Sequence, residues 1–355
     1  MRILVCTQAV DTEERALGFF VRWLEEFAHA FTRVEVVCLK EGTHRLPGNI
    51  AVHSLGKEVR GARFEGRGSG RLSARIFYML RFYAHIWRLR REYDAVFVHM
   101  NQEYVLLGAL LWKLWGKKVV MWRNHKMGSR LTDIACALCD AICYTSPESY
   151  VAKKPRAYQM PIGIDTTQFR LVVQPAPFDT VLFLGRLDPV KKPEVFLQAL
   201  DLLAREAVNC KVDGYGDPTD PAAAHVQALR TAIGALESRG ILRWHSGIPH
   251  HETAAIYASH GIYVNITPSG SFDKTIGEAM ASGCLVVAAN QAIRGVVPDE
   301  LLVDPDSFQD VARGIEAALM IPPAAREDII RRSVAFIEQQ HSLRALVLRL
   351  KGILG

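Results

Sequence analysis

The segment Pro268-Ser-Gly-Ser-Phe-Asp-Lys-Thr-Ile-Gly-Glu-Ala-Met-Ala-Ser-Gly283 limits the fold more than any other part of the chain. The apolar run Ile262 to Ile266 before it reads as a buried strand, and the Pro/Ser/Gly residues read as a turn. A short helix over residues 274–282 follows, stopped by Gly283, and the apolar run Leu285 to Ala289 comes next. Strand, loop, helix, strand is one βαβ step and requires a parallel sheet. In such a step the helix N-terminus directs free N–H groups above the sheet edge, a geometry that suits a phosphate. Glu278 stands on the first turns of this helix. A carboxylate beside a diphosphate is repelled, so Glu278 is expected to reach past the phosphates to a pair of ribose hydroxyls.

The same alternation recurs along the chain. Arg2 to Thr7 is a strand, Glu13 to Ala30 a helix with apolar residues at helical spacing, and Val34 to Leu39 a second strand. Gln8 to Thr12 holds no glycine, so there is no G-x-G-x-x-G motif and an NAD-binding first domain is disfavoured. Asp94 to His99, Lys118 to Trp122 and Ala141 to Thr145 continue as strands, with Tyr104 to Trp115 a buried helix. Strands over Asp179 to Leu184, Lys211 to Tyr215, Ile241 to Gly247 and Leu301 to Asp304 are expected in the second half. Helices are expected over Glu194 to Arg205, Glu252 to Ser259, Ser307 to Leu319, Arg326 to Gln339 and Ser342 to Ile353.

At 355 residues and 49% hydrophobic, the chain has material for two cores. No signal peptide is visible, and the longest apolar run, Tyr104 to Trp115, is shorter than the roughly 20 residues a spanning helix needs. The seven cysteines are therefore expected to stay reduced, as in a cytosol. Cys136, Cys139 and Cys143 lack a nearby fourth ligand and read as buried structural thiols, so no metal is expected.

The net charge of +6 is concentrated between Lys57 and Arg91, where ten Lys and Arg face Glu58 and Glu65 alone. Leu72 to Leu89 mixes those arginines with Phe77, Leu80, Phe82, Ile86 and Trp87. That pattern suits either an anionic membrane surface, through Arg71 to Arg91, or a core helix with a solvated basic face. No nucleic-acid motif accompanies the charge.

Two motifs carry a resemblance. Gly185-Arg-Leu-Asp-Pro-Val-Lys-Lys-Pro193 is similar to the G-R-L-x-P-x-K pattern of the retaining GT-B glycosyltransferases, in particular family 4. Phe272, Glu278-Ala-Met-Ala281, Gly283 and Val286-Val287 resemble that family's E-G-F-G-x-x-x-x-E-A-M-A-x-G-x-P-V-V. Gly270, Ser271 and Asp273 depart from it, Gly270 standing where the family has its first Glu. Met160-Pro-Ile-Gly-Ile-Asp-Thr-Thr-Gln-Phe169 resembles the segment that closes the family's first domain.

The resemblance implies an α/β GT-B fold: two Rossmann-like, doubly wound parallel-sheet domains, with the last helix crossing back to the first. The corresponding spans are 1–172 for an acceptor-side domain, 173–338 for a nucleotide-sugar domain and 339–355 for the returning helix. It implies transfer of a sugar, with retention, from a nucleotide-diphosphate-sugar to a glycan or lipid-linked acceptor in envelope or surface glycan synthesis. No metal or other cofactor is implied, and the place is the cytoplasm or the inner face of the membrane. Arg186 and Lys191 would bind the diphosphate, Arg as a rigid fork and Lys as a point charge. The backbone of Gly185, Gly214 and Ser271 to Thr275, with Phe272 and Lys274 in that run, would line the donor site, and Ile248 the base. His125 would face the donor sugar or the reacting centre, and Asp273 is the candidate substitute for the carboxylate missing at Gly270. The alternatives are a nucleotide-sugar-binding protein without transfer, or a GT-B epimerase or phosphorylase.

Overall fold

The computed structural model describes residues 1–14, 17–58, 69–171, 176–268 and 272–355, with the backbone alone for 69–72. Gly270, Ser271, Pro175 and the arginines between 59 and 68 lie outside the described residues. The chain divides into two compact units: Met1–Gly163 with Pro249–His251 and Leu343–Gly355, and Ile164–Ile248 with Glu252–Ser342.

The first unit is built on a parallel sheet of seven strands: β1 (Arg2–Val10), β2 (Arg33–Glu41), β3 (Ile50–Ser54), β4 (Ala95–His99), β5 (Lys118–Trp122), β6 (Ala141–Tyr144) and β7 (Ala157–Gln159). Their spatial order is β3-β2-β1-β4-β5-β6-β7, so the direction of winding reverses between β1 and β4. Helices cover both faces: α1 (Phe19–Ala30) one, α2 (Ser69–Arg88), α3 (Gln102–Leu114) and α4 (Arg130–Leu138) the other. Alternate residues of β1 serve the two cores, with Ile3 and Val5 in one and Leu4 and Cys6 in the other. A strand buried on both sides must be apolar at every position, which is why Ile-Leu-Val-Cys reads as a continuous run.

The second unit has a parallel sheet of five strands: β8 (Thr180–Leu184), β9 (Lys211–Tyr215), β10 (Arg243–His245), β11 (Ile262–Asn265) and β12 (Leu285–Ala288). Their order, β10-β9-β8-β11-β12, reverses between β8 and β11. The helices of this unit are α5 (Pro193–Arg205), α6 (Ala224–Ser238), α7 (Thr253–Ala258), α8 (Lys274–Ala281), α9 (Phe308–Met320) and α10 (Pro323–Phe336). After α10 the chain re-enters the first unit as α11 (Leu343–Leu354). Its Leu343, Leu346, Val347, Leu350 and Leu354 share one face by helical spacing and join the core that holds Trp23 and Phe27 of α1.

Residues 301–304 do not form the expected strand. Asp299–Leu301 is a 3-10 turn, and a single bridge, Ala288 to Leu302, follows it. Pro305 has no N–H to continue a ladder, which ends the pairing after one bond from Val303 N to Ala288 O (3.0 Å). Cys136, Cys139 and Cys143 are buried, and burial pushes each thiol up, Cys143 to about 12.

Candidate functional site

In an open parallel sheet, loops leaving the carboxyl ends of strands on either side of a winding reversal flank a crevice. In the second unit those are the loops after β8 and β11. The first carries Gly185 to Lys192 and the second leads into α8. They meet through side chains. Lys191 Nζ donates to Asp273 Oδ2 in a close ion pair between partly buried side chains. Asn265, the last residue of β11, places its amide nitrogen 3.2 Å from the same carboxylate oxygen and 2.9 Å from Thr275 Oγ1. The Thr275 N–H donates to Asp273 Oδ1 (3.3 Å), so Asp273 is also the N-cap of α8. Tyr263 completes the tie by donating to the Leu184 carbonyl at the end of β8 (3.2 Å).

The backbone brings this about by close approach. The Lys191 stem lies against Gly185, where a Cβ would stand 3.6 Å from it. Gly216 approaches the Gly185 carbonyl so nearly that a Cβ would overlap the oxygen. Gly185 N in turn donates to Tyr215 O (3.0 Å). Gly214 is pressed against the Trp244 ring, which a Cβ there would overlap.

Each expected phosphate-binding cation has a carboxylate beside it. Besides the Lys191–Asp273 pair, Arg186 Nη1 lies 3.0 Å from Asp188 Oδ2 and donates to Thr219 Oγ1 (3.0 Å). Asp188 also accepts from Thr219 N (3.0 Å) and Oγ1 (2.7 Å), linking the β8 loop to the loop after β9. The sequence showed the cations and not these partners. Burial pushes the Asp273 carboxyl up, but the charge and hydrogen bond of Lys191, with Asn265 and the Thr275 amide, bring it to about 2. Both its oxygens are engaged, so a sugar hydroxyl at Asp273 would share the carboxylate with Lys191. Burial lowers the Lys274 ammonium to about 7, against the opposing pull of Glu278 and Asp273. Glu278 is 4% exposed and accepts from Tyr257 OH (3.4 Å).

Phe272 requires a correction. Its ring is 5% exposed and packs on His341 (5.0 Å between centroids, edge-on) and Phe336 (6.4 Å). This packing occupies the ring, so a contact of Phe272 with a donor would be made by its backbone. Ile248 is half-buried at the end of its unit segment.

In the first unit, His125 is exposed in the loop after β5, and its carbonyl accepts from Tyr150 N (2.9 Å). With Arg123 and the buried His99 it lines a cavity of about 570 Å³ at the carboxyl ends of β1, β4 and β5. His99 stacks on Phe20 (4.1 Å) and meets Thr7 Oγ1 at 3.4 Å. On α2, Ile76 (45%), Leu80 (61%) and Trp87 (56%) are exposed, and Arg90 lies over the Trp87 ring (4.9 Å). No helix among the described residues is long and apolar enough to cross a membrane.

Residues 179–320, all within the second unit's span apart from 249–251, match the family model of glycosyl transferases group 1. Among curated relatives, a D-inositol 3-phosphate glycosyltransferase of Kineococcus radiotolerans is 27% identical over 155 residues, covering 39% of this chain and 35% of that protein. One from Streptomyces avermitilis is 24% identical over 303 residues, covering 73% and 63%. The chain thus spans about a third of the first relative's length. Anabaena HepE, solved in complex with UDP and glucose, superposes with a TM-score of 0.74 at 17% identity, covering 100% of this chain and 99% of that one. The E. coli trehalose-6-phosphate protein bound with UDP-2-fluoro glucose gives 0.76 at 12% identity with the same coverage. The fold is GT-B: α/β, with two Rossmann-like parallel-sheet units.

Proposed function

We propose that this chain, a GT-B protein with a glycosyl transferases group 1 domain, is a glycosyltransferase that takes its sugar from a nucleoside-diphosphate donor held by the second unit. The observation that carries the reading is the convergence of the β8 and β11 loops on Lys191, Asp273 and the N-terminus of α8. UDP and UDP-sugars in the solved structures of similar fold support a nucleotide-sugar ligand.

Under this reading Lys191 keeps two N–H donors beyond the one given to Asp273 and turns them on the diphosphate. Arg186 exchanges Asp188 for phosphate oxygens. Glu278 accepts from the ribose hydroxyls, and Asp273 from the hexose. His125 would face the donor sugar or the reacting centre. The acceptor hydroxyl oxygen bonds to the anomeric carbon while the bond from that carbon to the β-phosphate oxygen breaks. The electron pair leaves with the nucleoside diphosphate, and the hydroxyl proton passes to the departing phosphate oxygen. Attack and departure on one face of the sugar give retention. Negative charge grows on the leaving diphosphate, so Lys191 and Arg186 act more strongly in the transition state than before it. These side chains supply the positive charge without a metal ion.

A panel of UDP-, GDP- and ADP-sugars, scored by thermal stabilisation and by slow donor hydrolysis, tests the reading. A matching donor at about 100 times its Kd adds about 2.7 kcal/mol, a rise of several degrees in Tm. If no nucleotide sugar stabilises the protein, the reading fails.

The exposed apolar residues of α2, with their arginines, support a place for the enzyme on an anionic membrane and a lipid-linked acceptor. Sedimentation with vesicles should show more protein bound to anionic than to neutral lipid at low salt, and the difference should shrink at high salt. Equal binding to both lipids removes the electrostatic part of this proposal.

A further inference from the structure

Asp188 has no step in the transfer reaction derived above, yet several donors converge on its carboxylate. Arg186 Nη1 lies 3.0 Å from Oδ2, Thr219 Oγ1 donates to the same oxygen (2.7 Å), and Thr219 N donates to Oδ1 (3.0 Å). The backbone is fixed as well, since the Asp188 carbonyl accepts from Lys191 N (2.9 Å) in the 3-10 turn Pro189–Lys191.

The members of this ion pair differ in freedom. The Asp188 side chain is 18% exposed and that of Arg186 is 55% exposed. The carboxylate is therefore the stationary partner, and the guanidinium is the one able to turn. When Arg186 leaves, Asp188 keeps its bonds from Thr219, so no orphaned anion remains. Burial pushes the Asp188 carboxyl up, but the bonds from Thr219, followed by the charges of Arg186 and His225, bring it below the usual carboxylate range. His225 is itself tied, with Nε2 donating to the Leu187 carbonyl (3.0 Å). The loop after β9 carries further acids, but Asp217 accepts from Gly247 N (3.1 Å) and Asp220 from Ala222 N (2.9 Å). Among the described residues, Asp188 is the carboxylate in ion-pair range of Arg186. An ion pair this exposed is weak in water, whereas a diphosphate offers the guanidinium several charged oxygens at once. Arg186 can thus rest on Asp188 when the site is empty and leave it when a diphosphate arrives.

We infer that Asp188 is a positioning residue for product release: it takes the Arg186 guanidinium back as the nucleoside diphosphate departs, and so shortens the stay of the product. The inference rests on the reading of Arg186 as a diphosphate ligand. With Asp188 in place, the bond lost from arginine to phosphate is offset by the one regained to carboxylate. No covalent bond changes and no proton moves.

Stopped-flow release and calorimetric binding of UDP, GDP and ADP by the full chain test this. The proteins are wild type, Asp188→Asn, Arg186→Ala and the double variant. Asparagine keeps an acceptor oxygen for Thr219 N and removes the charge. Whichever nucleotide binds wild type should bind Asp188→Asn about two- to fivefold more tightly, the worth of a part-exposed ion pair, and the gain should lie in slower release. Arg186→Ala should weaken binding, and in that background the gain from Asp188→Asn should largely vanish. If Asp188 merely links the loops, Asp188→Asn binds the nucleotide no better than wild type or more weakly, and the inference is overturned. Tightening of the same size in the Arg186→Ala background also overturns it, since Asp188 would then act by plain repulsion of the nucleotide. So does tightening that comes wholly from faster association. Asp188→Ser, which lacks the charge and keeps an oxygen, takes the place of Asp188→Asn if that variant does not fold. If Arg186→Ala weakens binding and Asp188→Asn does not tighten it, this inference falls alone. If Arg186→Ala leaves binding unchanged, or no nucleotide binds wild type, the donor reading falls and takes the inference with it.

Discussion

Lys191→Ala lowers kcat for sugar transfer by about 10²–10³-fold, the loss expected when one preorganised group facing a developing negative charge is removed. Asp273 is left without its cation, so some loss of folding stability accompanies the change. The pair is partly exposed, at 18% and 17%, so that loss falls below the 3–5 kcal/mol typical of a broken, fully buried pair. The double variant Lys191→Ala/Asp273→Asn, measured beside Asp273→Asn alone, separates the two effects. With the uncompensated carboxylate gone, its Tm should return toward wild type while turnover stays low. Recovery of turnover along with Tm would show that Lys191 acts through folding and not on the diphosphate. Full turnover in Lys191→Ala itself would remove the residue from the mechanism.

Gly216→Ala is the most damaging small substitution expected in the second unit. The new methyl group would overlap the Gly185 carbonyl oxygen, and the φ of +153° at Gly216 is one that residues with side chains rarely adopt. Both neighbours are backbone, so the contact is relieved only by separating the ends of β8 and β9. Overpacking and backbone strain together cost about 3 kcal/mol or more, a fall in Tm on the order of 10 °C. Because the Lys191 stem lies on Gly185, nucleotide binding should weaken as well. An unchanged Tm would mean that the two loops separate freely, and the close approach would then have no part in placing Lys191.

The two motifs after β8 and β11 were legible in the sequence because a βαβ step imposes its own pattern. An apolar run, a Gly- or Pro-rich turn and a capped helix must follow one another in order. The alternation of these steps made the parallel sheets legible too, whereas the return of α11 was implied by the resemblance alone. What the sequence hid lies between segments distant along the chain. Asp188 joins Thr219, and Asp273 joins Lys191. No periodicity encodes such pairs, since they depend on how two loops approach. For the same reason Arg186 and Lys191 read as bare charges, although each stands beside a carboxylate. Phe272 read as part of a ligand loop because its motif resembles one, whereas its ring needed an apolar home and found one against Phe336 and His341. Arg123 offered no signal beyond its place after an apolar strand. The cavity beside it and the φ of Met100 were hidden too, since no residue type announces them.

A crystal structure of the protein with a nucleoside diphosphate tests the central claim most directly. The β-phosphate is predicted within about 2.7–3.0 Å of Lys191 Nζ, with Arg186 turned from Asp188 to the phosphate and the ribose hydroxyls on Glu278. A nucleotide bound elsewhere, with Lys191 still closed on Asp273 alone and Arg186 on Asp188, would contradict it.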